Sequence, residues 1–168
     1  MGKTEITPNM RKALCSLKQN GIKICIATGR SFATIPMFEG VVFDAILAFN
    51  GSFCVAGNQV VAKCPIPKED IEIIIENAKR MERPVSIATA EEIVANGSDK
   101  DLEDYFAIAH HRVNVSEKFE EYVDKDVFQI MLGCDLEERK YILKGTKNAK
   151  LAAWWDRAID IIPKEGGK

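Results

Sequence analysis

The stretch GIKICIATGRSF, residues 21–32, carries the first indication of fold class. Its centre, residues 22–27, is short, nearly all apolar and rich in β-branched residues, which is typical of a strand covered on both faces in a parallel sheet. Thr28, Gly29 and Arg30 follow at once. Ligands of open α/β sheets bind beyond the carboxyl ends of the strands, where a hydroxyl and free amides suit a phosphoryl oxygen. The same residues also make an ordinary strand-to-helix turn capped by Thr28, and both interpretations stay open on local chemistry.

The composition narrows the classes of function. The 168 residues suit one domain or two small ones, and a hydrophobic content of 46% is enough for a core. A net charge of −2 gives no general attraction to nucleic acid or to an anionic membrane, so neither is an expected partner. The five cysteines form no CxxC pair, which predicts a reduced, cytoplasmic setting. No leading apolar segment resembles a signal peptide, and no stretch approaches the roughly 18 apolar residues of a membrane span.

The first part of the chain has the order of elements of a doubly wound sheet. Thr7 and Pro8 predict the start of a helix that ends at Asn20 and Gly21. The strand at residues 22–27 comes next, followed by a short helix at 31–38, a second buried strand at 43–49 and a hairpin that turns at residues 57–58. This alternation predicts an α/β fold.

After Pro65 and Pro67 the character of the chain changes. An amphipathic helix is predicted for residues 68–81. Further strands are predicted at 84–89, 127–133, 150–155 and 158–162, and further helices at 99–109, 119–123 and 137–143. This second region is expected to be an α/β unit on an antiparallel or mixed sheet.

Three segments match one family in the right order: ATGRS at residues 27–31, FDAILAFNGSFC at 43–54 and AIDIIPKEGGK at 158–168. The chain resembles the haloacid dehalogenase superfamily, specifically the Cof-type sugar-phosphate phosphatases that carry a large α/β cap. The resemblance covers residues 5–168. It implies the remnant of a doubly wound, Rossmann-like core sheet with an inserted cap. The implied boundaries are 1–64 for a partial core, 65–157 for the cap, and 158–168 for a strand and loop that return to the core.

The resemblance also implies roles for individual residues. Thr28 would be the phosphate-binding hydroxyl, and Lys168 would be the cation that steadies nucleophile and phosphate. Asn50 would lie near the substrate phosphate or the cap hinge. Gly29, Arg30 and Gly51 are the neighbours expected to contact the ligand, which would be a small phosphorylated metabolite. Taken alone, a terminal lysine is more often merely solvated, and GGK is not a phosphate-binding Walker A loop.

Two family motifs have no counterpart in this sequence. The family's chemistry uses an N-terminal DxDGT segment and a later GDxxND segment, whereas this chain opens with MGKTEITP and stops at Lys168. Asp44 opens its predicted strand and Asp160 lies within one, so neither replaces the nucleophile. We therefore assign no metal ligand. Mg²⁺ is expected in full-length members of the family, with none bound tightly by this chain.

Two functions of different classes remain. The chain is either a portion of a Mg²⁺-dependent phosphatase, inactive by itself, or a catalytically dead protein that binds phosphate ligands or serves as an oligomeric partner. The family's missing first strand would lie beside residues 22–27. Without it, the strand has an exposed apolar edge that predicts self-association.

Overall fold

The computed structural model describes residues 6–153 and 155–166. The chain begins with helix α1 (Pro8–Gln19), and the Thr7 hydroxyl accepts a hydrogen bond from the Met10 amide at 3.2 Å. A four-stranded sheet follows, in the order β1-β2-β3-β4. Its first two strands are parallel and the remaining neighbours are antiparallel. The strands are β1 (Cys25–Ala27), β2 (Ala45–Ala48), β3 (Phe53–Ala56) and β4 (Gln59–Lys63).

A second sheet has five strands in the order β6-β5-β7-β9-β8, all antiparallel to their neighbours. This confirms the α/β fold class and the antiparallel second unit. The strands are β5 (Val85–Ala88), β6 (Ile93–Ala95), β7 (Gln129–Gly133), β8 (Ala149–Ala152) and β9 (Ala158–Pro163). The helices of this unit are α2 (Lys68–Arg80), α3 (Lys100–Ile108), α4 (Phe119–Val123) and α5 (Arg139–Ile142).

The two faces of the second sheet differ in chemistry because side chains alternate along a strand. One face is apolar and packs under α2, α4 and α5, with residues such as Ile87, Ile130 and Ile161 fully buried. The other face carries the polar residues Gln129 and Asp160 together with Met131. This second face meets α3 and the first sheet, and it forms one wall of the candidate site.

The strand at Ala158–Pro163 differs from its expected place. We expected residues 158–168 to return to the first sheet, but β9 pairs with both β7 and β8 in the second sheet. The physical reason for this pairing is that apolar residues occupy alternate positions of β9. Ile159 and Ile161 continue the buried face made by Ile130 and Leu132 on the neighbouring strand. That part of the domain prediction was therefore wrong.

The segment around β1 also differs from the expectation. The strand is shorter than residues 22–27, and Cys25 and Ala27 are exposed instead of covered on both faces. Only β2 pairs with β1 among the strands that the structure describes, so the other edge of β1 is open. The predicted helix at 31–38 is a single 3-10 turn, Phe32–Thr34. No helix in the described ranges is long and apolar enough to cross a membrane.

Candidate functional site

The chain makes a tight turn directly after β1. The Thr28 amide donates to the Leu47 carbonyl at 2.9 Å, so the parallel ladder extends to the start of the turn. The Thr28 hydroxyl then accepts a hydrogen bond from the Arg30 amide at 3.1 Å. The Asn50 amide donates to the Thr28 carbonyl, and the Phe49 amide donates to the Arg30 carbonyl, each at 3.0 Å. The turn at residues 28–30 is therefore held against the end of β2 at the carboxyl edge of the sheet.

The residues after β2 have an unusual backbone. Phe49, Asn50 and Gly51 all have positive φ, of 49°, 57° and 95°. Asparagine and glycine adopt this region readily, but for phenylalanine it costs of order 1–3 kcal/mol and must be held by packing. The Phe49 ring is fully buried and stacks on Phe128 with centroids 5.2 Å apart. Contact with the second unit thus supports the strained turn.

Gly29 lies directly against the Asn50 side chain. A Cβ atom at residue 29 would come within 3.0 Å of the Asn50 Oδ1 atom, which is tighter than ordinary van der Waals contact. Because residue 29 is a glycine, the backbone of the turn at residues 28–30 can pack directly against the Asn50 side chain of the turn at 49–51.

A cleft of about 470 Å³ lies between this edge of the first sheet and the polar face of the second. Clefts of this size are typical of small-molecule sites. Thr28, Gly29, Arg30 and Asn50 line one side. The opposite side combines polar and apolar residues from the second sheet and α3: Gln129, Met131, Asp160, Ile93, Tyr105 and Phe106.

Asp160 is a lining residue that sequence reasoning set aside because it lies within a strand. It does lie within β9, but its side chain faces the cleft and is 9% exposed. The Tyr105 hydroxyl donates to the Asp160 Oδ1 atom at 2.5 Å. The sequence does contain a signal for the position of Asp160, which is its place between Ile159 and Ile161. Because side chains alternate along a strand, a carboxylate between two core residues points to the face opposite the core.

The predicted site residues were partly brought together. Thr28, Gly29, Arg30 and Asn50 share the cleft, whereas Gly51 supports the turn without lining it. Among the hydrogen bonds of the described residues, the Thr28 amide donates to Leu47 and the Arg30 amide to the Thr28 hydroxyl, so the amide that this turn can offer to an anion is that of Gly29. The helix expected after Thr28 is only the 3-10 turn Phe32–Thr34.

The predicted cation Lys168 lies outside the described residues. The chain just before it approaches the Asn50 turn: a Cβ at Gly166 would lie 2.3 Å from the Oγ atom of Ser52, which is fully buried.

The residues that the structure describes do not assemble a magnesium site. In the ranges 6–153 and 155–166, no group of three His, Cys, Asp or Glu side chains is placed to hold a metal ion. Asp44 precedes β2, about 13 Å from the other end of that strand at 3.3 Å per residue. A 2.8 Å hydrogen bond from Lys18 and another from the Ile24 amide lower the Asp44 pKa to about 2. Asp44 therefore stabilises the far end of the sheet.

The fold and the site define an α/β protein whose two parallel strands end in tight turns that line a cleft against a second α/β layer. The chain belongs to the haloacid dehalogenase-like hydrolase family, whose sequence model matches residues 2–168.

Individual relatives agree with this assignment. A Bacillus subtilis protein named "Putative phosphatase YkrA" is 28% identical over 166 residues, covering 97% of this chain and 63% of that protein. The structure of a hypothetical protein from Geobacillus kaustophilus is 25% identical with a TM-score of 0.84, covering 97% of this chain and 64% of that one. The structure of a subclass IIB sugar phosphatase of the same superfamily is 23% identical with a TM-score of 0.74, covering 97% of this chain and 65% of that one. The chain thus spans less than two thirds of the length of each.

Proposed function

We propose that this chain forms the phosphate-binding and substrate-enclosing part of a phosphatase that acts on small phosphorylated metabolites, sugar phosphates among them. The observation that carries the proposal is the hydrogen-bonded turn at residues 28–30, packed on Asn50 and open to a cleft of metabolite size. One relative is named a putative phosphatase, which supports the type of reaction, and another is a sugar phosphatase, which supports the substrate class.

In this proposal the Thr28 hydroxyl donates to a phosphoryl oxygen. It already accepts from the Arg30 amide, so its proton remains available to a ligand. The Arg30 side chain supplies positive charge, because no ion pair joins its guanidinium to another side chain in the described ranges. Lys168 is proposed as a second cation. The approach of Gly166 to Ser52, two residues from Asn50, supports this placement.

Hydrolysis by the family is expected to depend on Mg²⁺. Nucleophilic phosphoryl transfer needs an attacking carboxylate beside the phosphate. The carboxylate that lines the cleft, Asp160, comes from the opposite wall and is held by Tyr105. We therefore propose that the chain as given binds phosphate esters and does not turn them over.

The binding step is tested by titrating isotopically labelled protein with inorganic phosphate and following backbone amides by NMR. We expect the amides of residues 28–30 and 50 to shift. Thr28→Val should weaken binding by at least about tenfold, because it removes a hydrogen bond to a charged group, and Thr28→Ser should retain most of the affinity. Thr146→Val is the matched control, since the Thr146 hydroxyl bonds the Leu143 carbonyl outside the cleft. Equal affinities for all four proteins would refute the site.

The hydrolytic step is tested with an aryl phosphate and Mg²⁺, comparing this chain with a version extended by the flanking coding sequence. We expect turnover in the extended protein alone. Turnover by the short chain would refute the proposed inactivity.

A further inference from the structure

Ser52 lies where both connections between the two units meet the first unit. The chain leaves the first unit directly after β4, and there the Cys64 amide donates to the Ser52 carbonyl at 2.8 Å. It comes back after β9, where Gly166 packs against the Ser52 side chain. The Ser52 amide donates to the Phe49 carbonyl at 3.1 Å. Ser52 therefore contacts the outgoing segment, the returning segment and the turn that carries Asn50.

The side chain of Ser52 differs from its backbone in having no partner. Ser52 is fully buried, and its Oγ atom makes no hydrogen bond to any of the described residues. Buried hydroxyls in native structures nearly always have a partner, because burial without one costs the hydration of the group. The Ser52 hydroxyl can thus donate one hydrogen bond to a backbone group that comes within reach.

The hydroxyl lies directly against the backbone of the segment that follows β9. A Cβ atom at Gly166 would lie 2.3 Å from the Ser52 Oγ atom and 3.2 Å from the Ser52 Cβ atom, so a side chain here would have to displace the hydroxyl. The Lys164 amide donates to the Asn148 carbonyl at 2.7 Å, which ties the start of the segment to the second unit. Because the hydroxyl and the segment are already in contact, a rotamer change or a small displacement brings a backbone carbonyl to hydrogen-bond distance.

A ligand at the phosphate turn acts close to this contact. Asn50 lines the cleft, and the residues 49–51 all have positive φ. Such a backbone is held by its surroundings, so a phosphate that contacts Gly29 and Asn50 can change its arrangement. Ser52 follows this turn directly in the chain and is bonded to Phe49. Phosphate will favour whichever arrangement of the turn and Ser52 it binds more tightly.

We propose that Ser52 is a positioning residue of the phosphate site, whose hydroxyl donates a hydrogen bond to the backbone of residues 164–166 when phosphate occupies the turn at residues 28–30 and leaves that bond unmade when the site is empty. The bond holds the segment after β9 against the Asn50 turn in the occupied state. The inference rests on the proposed phosphate site and adds the contact that couples this site to the second unit.

Ser52→Ala separates this role from an ordinary structural one. The hydroxyl is unpaired in the empty protein, so its removal should leave the free energy of unfolding in urea without phosphate unchanged or slightly higher. The affinity for inorganic phosphate, measured by NMR titration, should fall about three- to tenfold, as expected for the loss of one net hydrogen bond. The Gly166 amide should shift on addition of phosphate to the wild type and should not shift in Ser52→Ala.

Ser86→Ala is the matched control. Ser86 is 1% exposed, and its hydroxyl donates to the Val94 carbonyl at 3.2 Å, outside the lining of the cleft. This change should lower the free energy of unfolding and leave phosphate affinity unchanged, which is the opposite of the result expected for Ser52→Ala.

Gly166→Ala tests the contact itself. The added methyl group would collide with the Ser52 Oγ atom, so this variant should lose both stability and phosphate affinity. Adding Ser52→Ala should restore the stability, because it removes the colliding atom, but it should not restore the affinity. Wild-type phosphate affinity in Ser52→Ala overturns the inference, as does a loss of stability as large as that of Ser86→Ala. Failure of the wild type to bind inorganic phosphate overturns the phosphate site itself, which distinguishes the two failures.

Discussion

Replacement of Phe128 should lower both the free energy of unfolding of the chain and its affinity for phosphate. Its ring lies between Phe49 and Phe53 of the first unit, with centroids 5.2 and 5.1 Å away, and it is 1% exposed. Phe128→Leu removes both ring pairs at little cost in apolar volume. At 0.5–1.5 kcal/mol for each pair, the free energy of unfolding should fall by about 2 kcal/mol. Because Phe49 has a strained backbone held by this contact, the Asn50 turn should loosen and phosphate affinity should fall severalfold.

Urea denaturation followed by tryptophan fluorescence measures the stability change, and NMR titration with inorganic phosphate measures the affinity. Ile130→Val is the matched control. Ile130 is fully buried two residues away in the core on the opposite face, and this change should cost about 0.5–1.5 kcal/mol without altering phosphate affinity. The reasoning fails if Phe128→Leu is no more destabilising than Ile130→Val and leaves the affinity at its wild-type value.

Three further predictions concern the first unit. Gly29→Ala should weaken phosphate binding by displacing the Asn50 side chain, with a stability loss of about 1 kcal/mol in urea; unchanged amide shifts at Asn50 would contradict this. The lowered Asp44 pKa predicts stability that is present above pH about 4 and lost as the pH falls toward about 2. Asp44→Asn should flatten that part of an acid-denaturation curve, and a curve identical to the wild type would count against it. The open edge of β1 predicts association that rises with concentration in sedimentation under reducing conditions, and Cys25→Lys should abolish it.

The residues around Thr28 and Asn50 show what the sequence could predict. An apolar strand ending in Thr-Gly-Arg and another ending in Asn-Gly are local signals, and parallel pairing brings their carboxyl ends together. The strained backbone of Phe49 has no local signal, because phenylalanine rarely adopts positive φ and the cause is packing on Phe128, almost eighty residues later.

The strand at Ala158–Pro163 shows where prediction from sequence failed. The apolar pattern of this strand is compatible with either sheet, so the sequence periodicity alone did not predict which sheet the strand joins. The choice follows from the match of Ile159 and Ile161 to Leu132 and Ile130 on β7, which is a tertiary contact. The same contact turns Asp160 toward the cleft.

The corrected place of β9 gives the two walls of the cleft a direct covalent connection. Asp160 and Gly166 belong to one short segment, which leaves the second sheet after Pro163 and packs against Ser52 of the first unit. Only two residues lie between Ser52 and Phe49, whose carbonyl accepts a hydrogen bond from the Ser52 amide at 3.1 Å. The segment from Asp160 to Gly166 therefore joins the second-sheet wall of the cleft to the turn that carries Asn50. Because Gly166 packs against Ser52, and the Ser52 amide donates to the Phe49 carbonyl, we expect a movement of the second sheet relative to the first to displace this turn as well.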